Sequence, residues 1–320
     1  MDPDSPLDEP EDNWVIPLPL AQEGATPATF VIPEAHPPRV WTVFGVFIVS
    51  MVLYLAASVL CVLVALITAH EGPIRERHDL DHAVSSALTN PKTVLAAISC
   101  AGIVFLLMSL LGAALSGVPW RDRLALRRPQ LTVAGMGVAL LGTTSVGVMF
   151  VGLSGLGAVP DSHALTAIND LISGLKGSWL LVGVLLIGIL PGIAEELLFR
   201  GYIQTRLVER WGVHAGVFIS ALLFGLMHFD PVQGAFAAFL GMFLGYLTVW
   251  TRSVIPAMIC HAFNNSVSVV LTTMAPGFDD FRNPRLSMAL LGISIVVFAG
   301  SLAYLRNDGA GRAEILAVRE

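Results

Sequence analysis

Three groups of polar residues interrupt apolar stretches in the second half of the chain, and their residue types suit hydrolytic chemistry. The groups are Glu195, Glu196 and Arg200 in GIAEELLFRG (residues 192–201), His228 at the end of FGLMH, and His261 and Asn265 in HAFNN. A carboxylate can act as a general base, whereas imidazole and amide groups can hold a water or stabilise an oxyanion. Glu195, His228, His261 and Asn265 are therefore the candidate catalytic residues.

Helical spacing separates the roles within the first group. Glu196 and Arg200 are four residues apart, so their side chains can meet on one helix face as an ion pair. Glu195 is turned ~100° from Glu196 around the helix, which leaves its carboxylate free to face a cavity. The competing interpretation places all three residues in an interfacial loop, with their charged ends extended towards lipid headgroups.

His261 and Asn265 also share one helix face, and both side chains can donate hydrogen bonds. Asn264 is a weaker candidate for the same task. The alternative for this pair is a hydrogen-bonded contact that holds two helices together. A single His228 is by itself more typical of a packed or capping residue, so the functional interpretation depends on the complete set.

Composition indicates what kind of fold must position these groups. The chain of 320 residues is 55% hydrophobic and 13% charged, whereas soluble proteins contain ~25% charged residues. A membrane-spanning helix needs ~20 mostly apolar residues. Eight blocks approach or reach that length: 43–68, 93–117, 131–153, 178–198, 213–228, 234–250, 254–274 and 286–305. The sequence therefore predicts an all-α, polytopic transmembrane helical bundle with about eight spans.

The segments outside the spans predict the domain organisation. Residues 1–37 are acidic and proline-rich, as expected of a disordered cytoplasmic tail. Residues 38–307 are predicted to form the transmembrane domain, with the candidate residues in a core at about 178–275, and residues 308–320 a short cytoplasmic tail. Twelve basic residues lie on the side of the termini and six on the other, which predicts cytoplasmic termini.

The expected partners follow from composition and from the motifs. The 16 arginines against 2 lysines indicate a GC-rich bacterial genome, so we expect a bacterial cell membrane. The net charge of −6 comes largely from the N-terminal tail and does not indicate a nucleic-acid partner. There is no phosphate-binding GxxxxGK[ST] loop and no dinucleotide fingerprint, so no nucleotide is expected.

The three motifs together resemble a known family. EELLFR fits Glu-Glu-x-x-x-Arg, FGLMH fits Phe-x-x-x-His and HAFNN fits His-x-x-x-Asn, in that order and each in an apolar segment. This pattern, over about residues 179–274, resembles the CPBP family of intramembrane proteases, which includes the type II CAAX prenyl endopeptidases. The resemblance implies an endopeptidase that acts on a protein or peptide at the membrane.

The resemblance also implies roles for individual residues. Glu195 and His228 would activate a water, and His261 with Asn265 would stabilise the oxyanion. Glu196 and Arg200 would be supporting residues.

Zinc is the cofactor that the sequence leaves open. There is no His-Glu-x-x-His motif, yet Glu195, His228 and His261 would form an acceptable His₂Glu zinc site with water as fourth ligand. Metal-independent activation of water is the favoured interpretation.

Two other classes of protein compete with a protease. A proton-coupled transporter also uses intramembrane carboxylates, histidines and proline-broken helices. A non-catalytic membrane scaffold could use the same groups to bind a partner.

One spacing conflicts with a simple drawing of eight spans. Glu195 and His261 would lie near one side of the membrane, while His228 would lie ~22 Å into a span that starts from that side. These groups can share a water only if the helix with Glu195 continues through Arg210, or if the span with His228 is tilted or set deep.

Overall fold

A computed structural model describes residues 39–69, 77–275 and 283–317, and these residues form helices joined by short connections, without a strand. The all-α fold class is therefore confirmed. Helices are the expected result, because a helix satisfies its backbone hydrogen bonds within one segment and can lie in lipid. The predicted N-terminal tail, residues 1–37, lies outside the described residues.

Eleven helices follow one another within the described residues. They are α1 (Trp41–Ala69), α2 (Arg77–Thr89), α3 (Pro91–Ala114), α4 (Trp120–Arg123), α5 (Val133–Gly155), α6 (His163–Ser173), α7 (Ser178–Trp211), α8 (Val213–Leu226), α9 (Pro231–Thr251), α10 (Ile255–Met274) and α11 (Pro284–Ala317). Two segments of α7 are π-helical, Val184–Ile189 and Leu197–Gln204. The last helix continues through most of the segment predicted as a C-terminal tail.

Seven helices in the described part of the chain are long and apolar enough to cross a membrane: α1, α3, α5, α7, α9, α10 and α11. The remaining predicted span, 213–228, corresponds to α8, which has 14 residues. At 1.5 Å per residue this helix is ~21 Å long, shorter than the ~30 Å hydrocarbon core of a bilayer. The predicted number of eight thus becomes seven long helices and one short apolar helix.

Helix α7 is longer than the sequence predicted. The predicted apolar span ends at residue 198, but the helix continues to Trp211. It can continue because its charged residues find partners inside the bundle. This is the first of the two conditions under which Glu195 and His228 could come to a common depth.

The turn between α7 and α8 brings those two residues to the same level. Gly212 joins the helices with φ +82°, a left-handed conformation that favours glycine. Glu195 lies 17 residues before Gly212 and His228 lies 16 residues after it. Because the chain reverses direction at this turn, both residues lie ~25 Å from it. The depth conflict therefore disappears.

The start of the first helix, α1, and the end of the last helix, α11, lie at the same end of the bundle. Three contacts connect that end: Arg206 donates to Thr42 Oγ1 (2.7 Å), Arg123 pairs with Glu209 (3.0 Å), and Thr132 donates to Asp308 (3.4 Å). The start of α1, the α3–α5 connection, the end of α7 and the end of α11 thus lie together. Which side of the membrane this end faces stays a prediction from the basic residues.

Helices α7 and α10 approach each other to backbone contact at one glycine. A Cβ atom on Gly192 would lie 2.5 Å from the backbone nitrogen of Ala262. No side chain can move away to relieve that contact, because the obstructing atoms belong to the backbone. Gly192 therefore permits the close crossing that places Glu195 and Glu196 beside α10.

We expect Gly192→Val to destabilise the protein by at least ~1–3 kcal/mol, since overpacking forces the helices apart. Thermal unfolding of the detergent-solubilised protein measures the effect. Gly292→Val is the matched control, because a Cβ at Gly292 has no neighbour within 4 Å. Equal unfolding midpoints for the two variants would contradict the close crossing.

Candidate active site

A buried ion pair lies at the centre of the site. Arg200 Nη1 donates to Glu196 Oε1 at 2.8 Å, and both side chains are 0% exposed. The pairing expected from their spacing is therefore present. The guanidinium also lies over the Phe224 ring, 4.3 Å from its centroid. Among the described residues, Nε and Nη2 of Arg200 have no hydrogen-bond partner, so the ring face is their compensating contact.

His261 lies between two carboxylates. Its Nδ1 lies 2.8 Å from Glu196 Oε1, and its Nε2 lies 3.9 Å from Glu195 Oε2. An ionised carboxylate can only accept, so Nδ1 carries a proton and donates it to Glu196. In the neutral imidazole Nε2 then has a lone pair. Only the doubly protonated ring can donate from Nε2.

Glu195 differs from Glu196 in its surroundings. Its side chain is 14% exposed, whereas that of Glu196 is fully enclosed. Glu195 therefore lies at an edge of the buried network rather than inside it. This difference agrees with the separation of the two carboxylates that their helical positions predicted.

His228 follows the end of α8 and is fixed by its own helix. Its Nδ1 lies 2.9 Å from the carbonyl oxygen of Phe224. A carbonyl can only accept, so Nδ1 is protonated and Nε2 presents a lone pair in the neutral ring. Such a nitrogen can accept a hydrogen bond from a water. The bond also explains why His228 is held although it lies outside regular helix.

Phe224 connects the groups that the three motifs contribute. Its ring meets His228 edge-on at 5.2 Å between centroids and His261 edge-on at 5.7 Å, and Arg200 covers it. In the sequence, Phe224 stands out only as the first residue of Phe-x-x-x-His. Its spacing of four from His228 was the signal that both residues share one helix face.

Asn265 reaches α7 at a different level from Glu195. Its Nδ2 donates to the carbonyl oxygen of Ile187 at 3.5 Å, and its Oδ1 accepts from Asn264 at 3.3 Å. Pro191 has no N–H and so cannot donate the usual i→i−4 bond to Ile187. Asn265 thus donates to a carbonyl that receives no hydrogen bond from residue 191. The structure brings Asn265 to the α7–α10 interface, one turn from His261, without a contact to Glu195.

Zinc, if present, would be held by Glu195, His228 and His261, the set that the sequence leaves open. Within the described ranges, no three histidine, cysteine, aspartate or glutamate side chains are grouped so as to hold a metal ion. The Nδ1 atoms of His228 and His261 are both occupied by protein acceptors. Each ring therefore presents its Nε2 atom, the nitrogen that can bind either a water or a metal ion.

A large apolar cavity lies elsewhere, between α5, α9 and α11. Its volume is about 730 Å³, and its lining includes Phe150, Phe236 and Ile295. None of the four candidate catalytic residues lines it. The cavity and the polar cluster are therefore separate features of the bundle.

Comparison with known proteins identifies the segment that carries the site. A family model described as Type II CAAX prenyl endopeptidase Rce1-like matches residues 177–267. This match includes Glu195, His228, His261 and Asn265, and it confirms the resemblance to the CAAX protease family. No curated protein and no solved structure matches the chain. The match and the seven long apolar helices together support a multi-pass membrane protease in general.

We expect Arg200→Met to destabilise the protein by ~3–5 kcal/mol, because it leaves the buried Glu196 carboxylate unpaired. The double variant Glu196→Gln with Arg200→Met removes both charges and should recover part of that loss. Unfolding midpoints in detergent measure both. Arg127→Met is the control, since Arg127 pairs with Asp122 on the surface, where ion pairs contribute little. Wild-type stability of Arg200→Met would contradict the role of the pair.

Proposed function

We propose that this protein is a membrane-embedded endopeptidase that hydrolyses a peptide bond of a membrane-associated protein or peptide. The observation that carries the proposal is the approach of Glu195 to His261, 3.9 Å, beside the buried Glu196–Arg200 pair. A partly exposed carboxylate next to an oriented imidazole can activate a water and stabilise the resulting charge. The family match over the same residues supports the same class of reaction.

In the proposed reaction, Glu195 removes a proton from a water that also donates a hydrogen bond to His228 Nε2. The hydroxide attacks the carbonyl carbon of the scissile bond, and the carbonyl oxygen becomes an oxyanion. When the carbon–nitrogen bond breaks, Glu195 delivers its proton to the departing amine. Glu195 is thus general base first and general acid second.

His261 and Asn265 are the proposed donors to the oxyanion. His261 donates from Nε2 in its doubly protonated form, and its bond to Glu196 through Nδ1 orients the ring. Arg200 pairs with Glu196 and holds that carboxylate in place. Both bonds of the Asn265 amide are long, 3.5 Å to Ile187 and 3.3 Å from Asn264, so turning towards the substrate costs little. Glu196 and Arg200 are accordingly positioning residues.

Substitution of the proposed base tests the enzyme against the two competing classes. We expect Glu195→Gln to lower peptide release at least ~10³-fold, because an amide cannot accept the proton. The measurement compares peptides released from membranes containing wild-type protein or the variant. Glu209→Gln is the matched control, because Glu209 lies on the same helix and its half-exposed carboxylate pairs with Arg123 away from the site. A transporter would lose substrate flux instead, and a scaffold would show the same peptides in all samples.

Asn265→Ala tests the oxyanion site. Loss of one such donor costs ~2.7–4 kcal/mol of barrier, so we expect kcat to fall ~10²–10³-fold. Asn264→Ala is the control. Its amide donates to Asn265 Oδ1 at 3.3 Å and has no role in the proposed reaction, so we expect a much smaller loss of kcat. Unfolding midpoints are measured alongside. Normal turnover by Asn265→Ala, or a loss explained by unfolding, would contradict the assignment.

A further inference from the structure

Tyr54, on α1, lies at the candidate site although it is far outside the matched residues. Its ring stacks on Phe229, with centroids 6.2 Å apart and planes 24° apart, and meets Phe105 at 5.8 Å. One side chain of α1 thus contacts Phe229, the residue after His228. Neither α1 nor Tyr54 figured in the sequence motifs.

Phe229 has an unusual backbone conformation. Its φ is +55°, in the left-handed region that bulky residues avoid. Such a conformation costs ~1–3 kcal/mol and persists only where neighbouring groups hold it. The side chain of Phe229 is 61% exposed, so enclosure in a core does not hold it. Two contacts act on this residue: the Tyr54 ring stacks on its side chain, and its backbone N–H donates to the Leu226 carbonyl at 3.3 Å.

The two sides of the turn are anchored unequally. Asp230, which follows Phe229, caps α9 by accepting from the Gln233 backbone N–H at 2.8 Å, and it also accepts from the Ser162 hydroxyl at 2.8 Å. His228 is held by two bonds that stay within the end of α8: its Nδ1 donates to the Phe224 carbonyl at 2.9 Å, and its backbone N–H donates to the Gly225 carbonyl at 3.2 Å. If Phe229 relaxes to an ordinary φ, Asp230 resists the movement through its bonds to Gln233 and Ser162, which belong to other parts of the bundle. We expect the end of α8 to move instead, and His228 with it.

We propose that Tyr54 is a positioning residue, whose ring holds Phe229 in its left-handed conformation and thereby fixes the His228 imidazole. The inference rests on the proposed function, in which His228 holds the attacking water. It makes α1 a part of the active site. It also assigns the effect to the aromatic ring and not to the hydroxyl.

The ring and the hydroxyl can be separated by two substitutions. Tyr54→Ala removes the stacking and should lower kcat ~10–100-fold with KM changed less than about threefold, since a displacement near 1 Å can cost that much. Tyr54→Phe keeps the ring and should stay within about threefold of wild type. Leu55→Ala, the next residue on the exposed side of α1, is the control and should behave as wild type.

Two measurements on the full-length protein in detergent test the proposal. The first is kcat and KM with a quenched fluorescent peptide, built on a bond that wild-type protein cleaves and Glu195→Gln does not. The second is hydrogen–deuterium exchange of the segment that contains residues 226–231, which needs no activity. We expect Tyr54→Ala to raise exchange there, and Tyr54→Phe and Leu55→Ala to leave it unchanged.

The outcomes distinguish this inference from the proposed function. Unchanged exchange in Tyr54→Ala overturns the positioning role, whatever the activity. Raised exchange with wild-type kcat overturns it as well, and so does a loss in Tyr54→Phe equal to that in Tyr54→Ala. If wild type and Glu195→Gln release the same peptides, the proposed function fails, and exchange alone decides whether Tyr54 holds the turn.

Discussion

The structure depends on one fully buried ion pair inside a membrane-spanning helix. Glu196 and Arg200 are enclosed by protein on all sides, where each charge would be costly without a partner. Their own salt bridge satisfies only part of each group. Glu196 therefore accepts a hydrogen bond from His261 Nδ1, and Arg200 packs over the face of the Phe224 ring. These further contacts join α7 to α10 and α8, so the cost of burying charge also fixes the two histidines.

The backbone of α7 is adapted to that arrangement. It contains two π-helical segments, one immediately before Pro191 and one that includes Arg200, and π-helical turns are frequent at functional sites. The missing N–H of Pro191 leaves a carbonyl that Asn265 approaches, while Gly192 lets α10 come close enough for its side chains to reach across. A regular α-helix with larger residues would separate these groups.

The sequence predicted much of this, and its failures have physical causes. The helical fold follows from apolar blocks, and the contact of Glu196 with Arg200 follows from a spacing of four. The length of α7 was underestimated, because hydropathy cannot show that a charge has found a partner. The roles of Phe224 and Tyr54 depend on contacts between distant helices, which one sequence does not encode in its periodicity. The same holds for the left-handed turn at Phe229.

The central claim is that the buried pair orients His261, with Nδ1 donating to Glu196 and Nε2 directed to Glu195. Nitrogen-15 NMR of histidine-labelled protein measures this most directly, with His261→Gln used to assign the signal. The account predicts a protonated Nδ1 on His261 and a clear shift of that signal in Glu196→Gln. A neutral ring with its proton on Nε2, unaffected by Glu196→Gln, would contradict it.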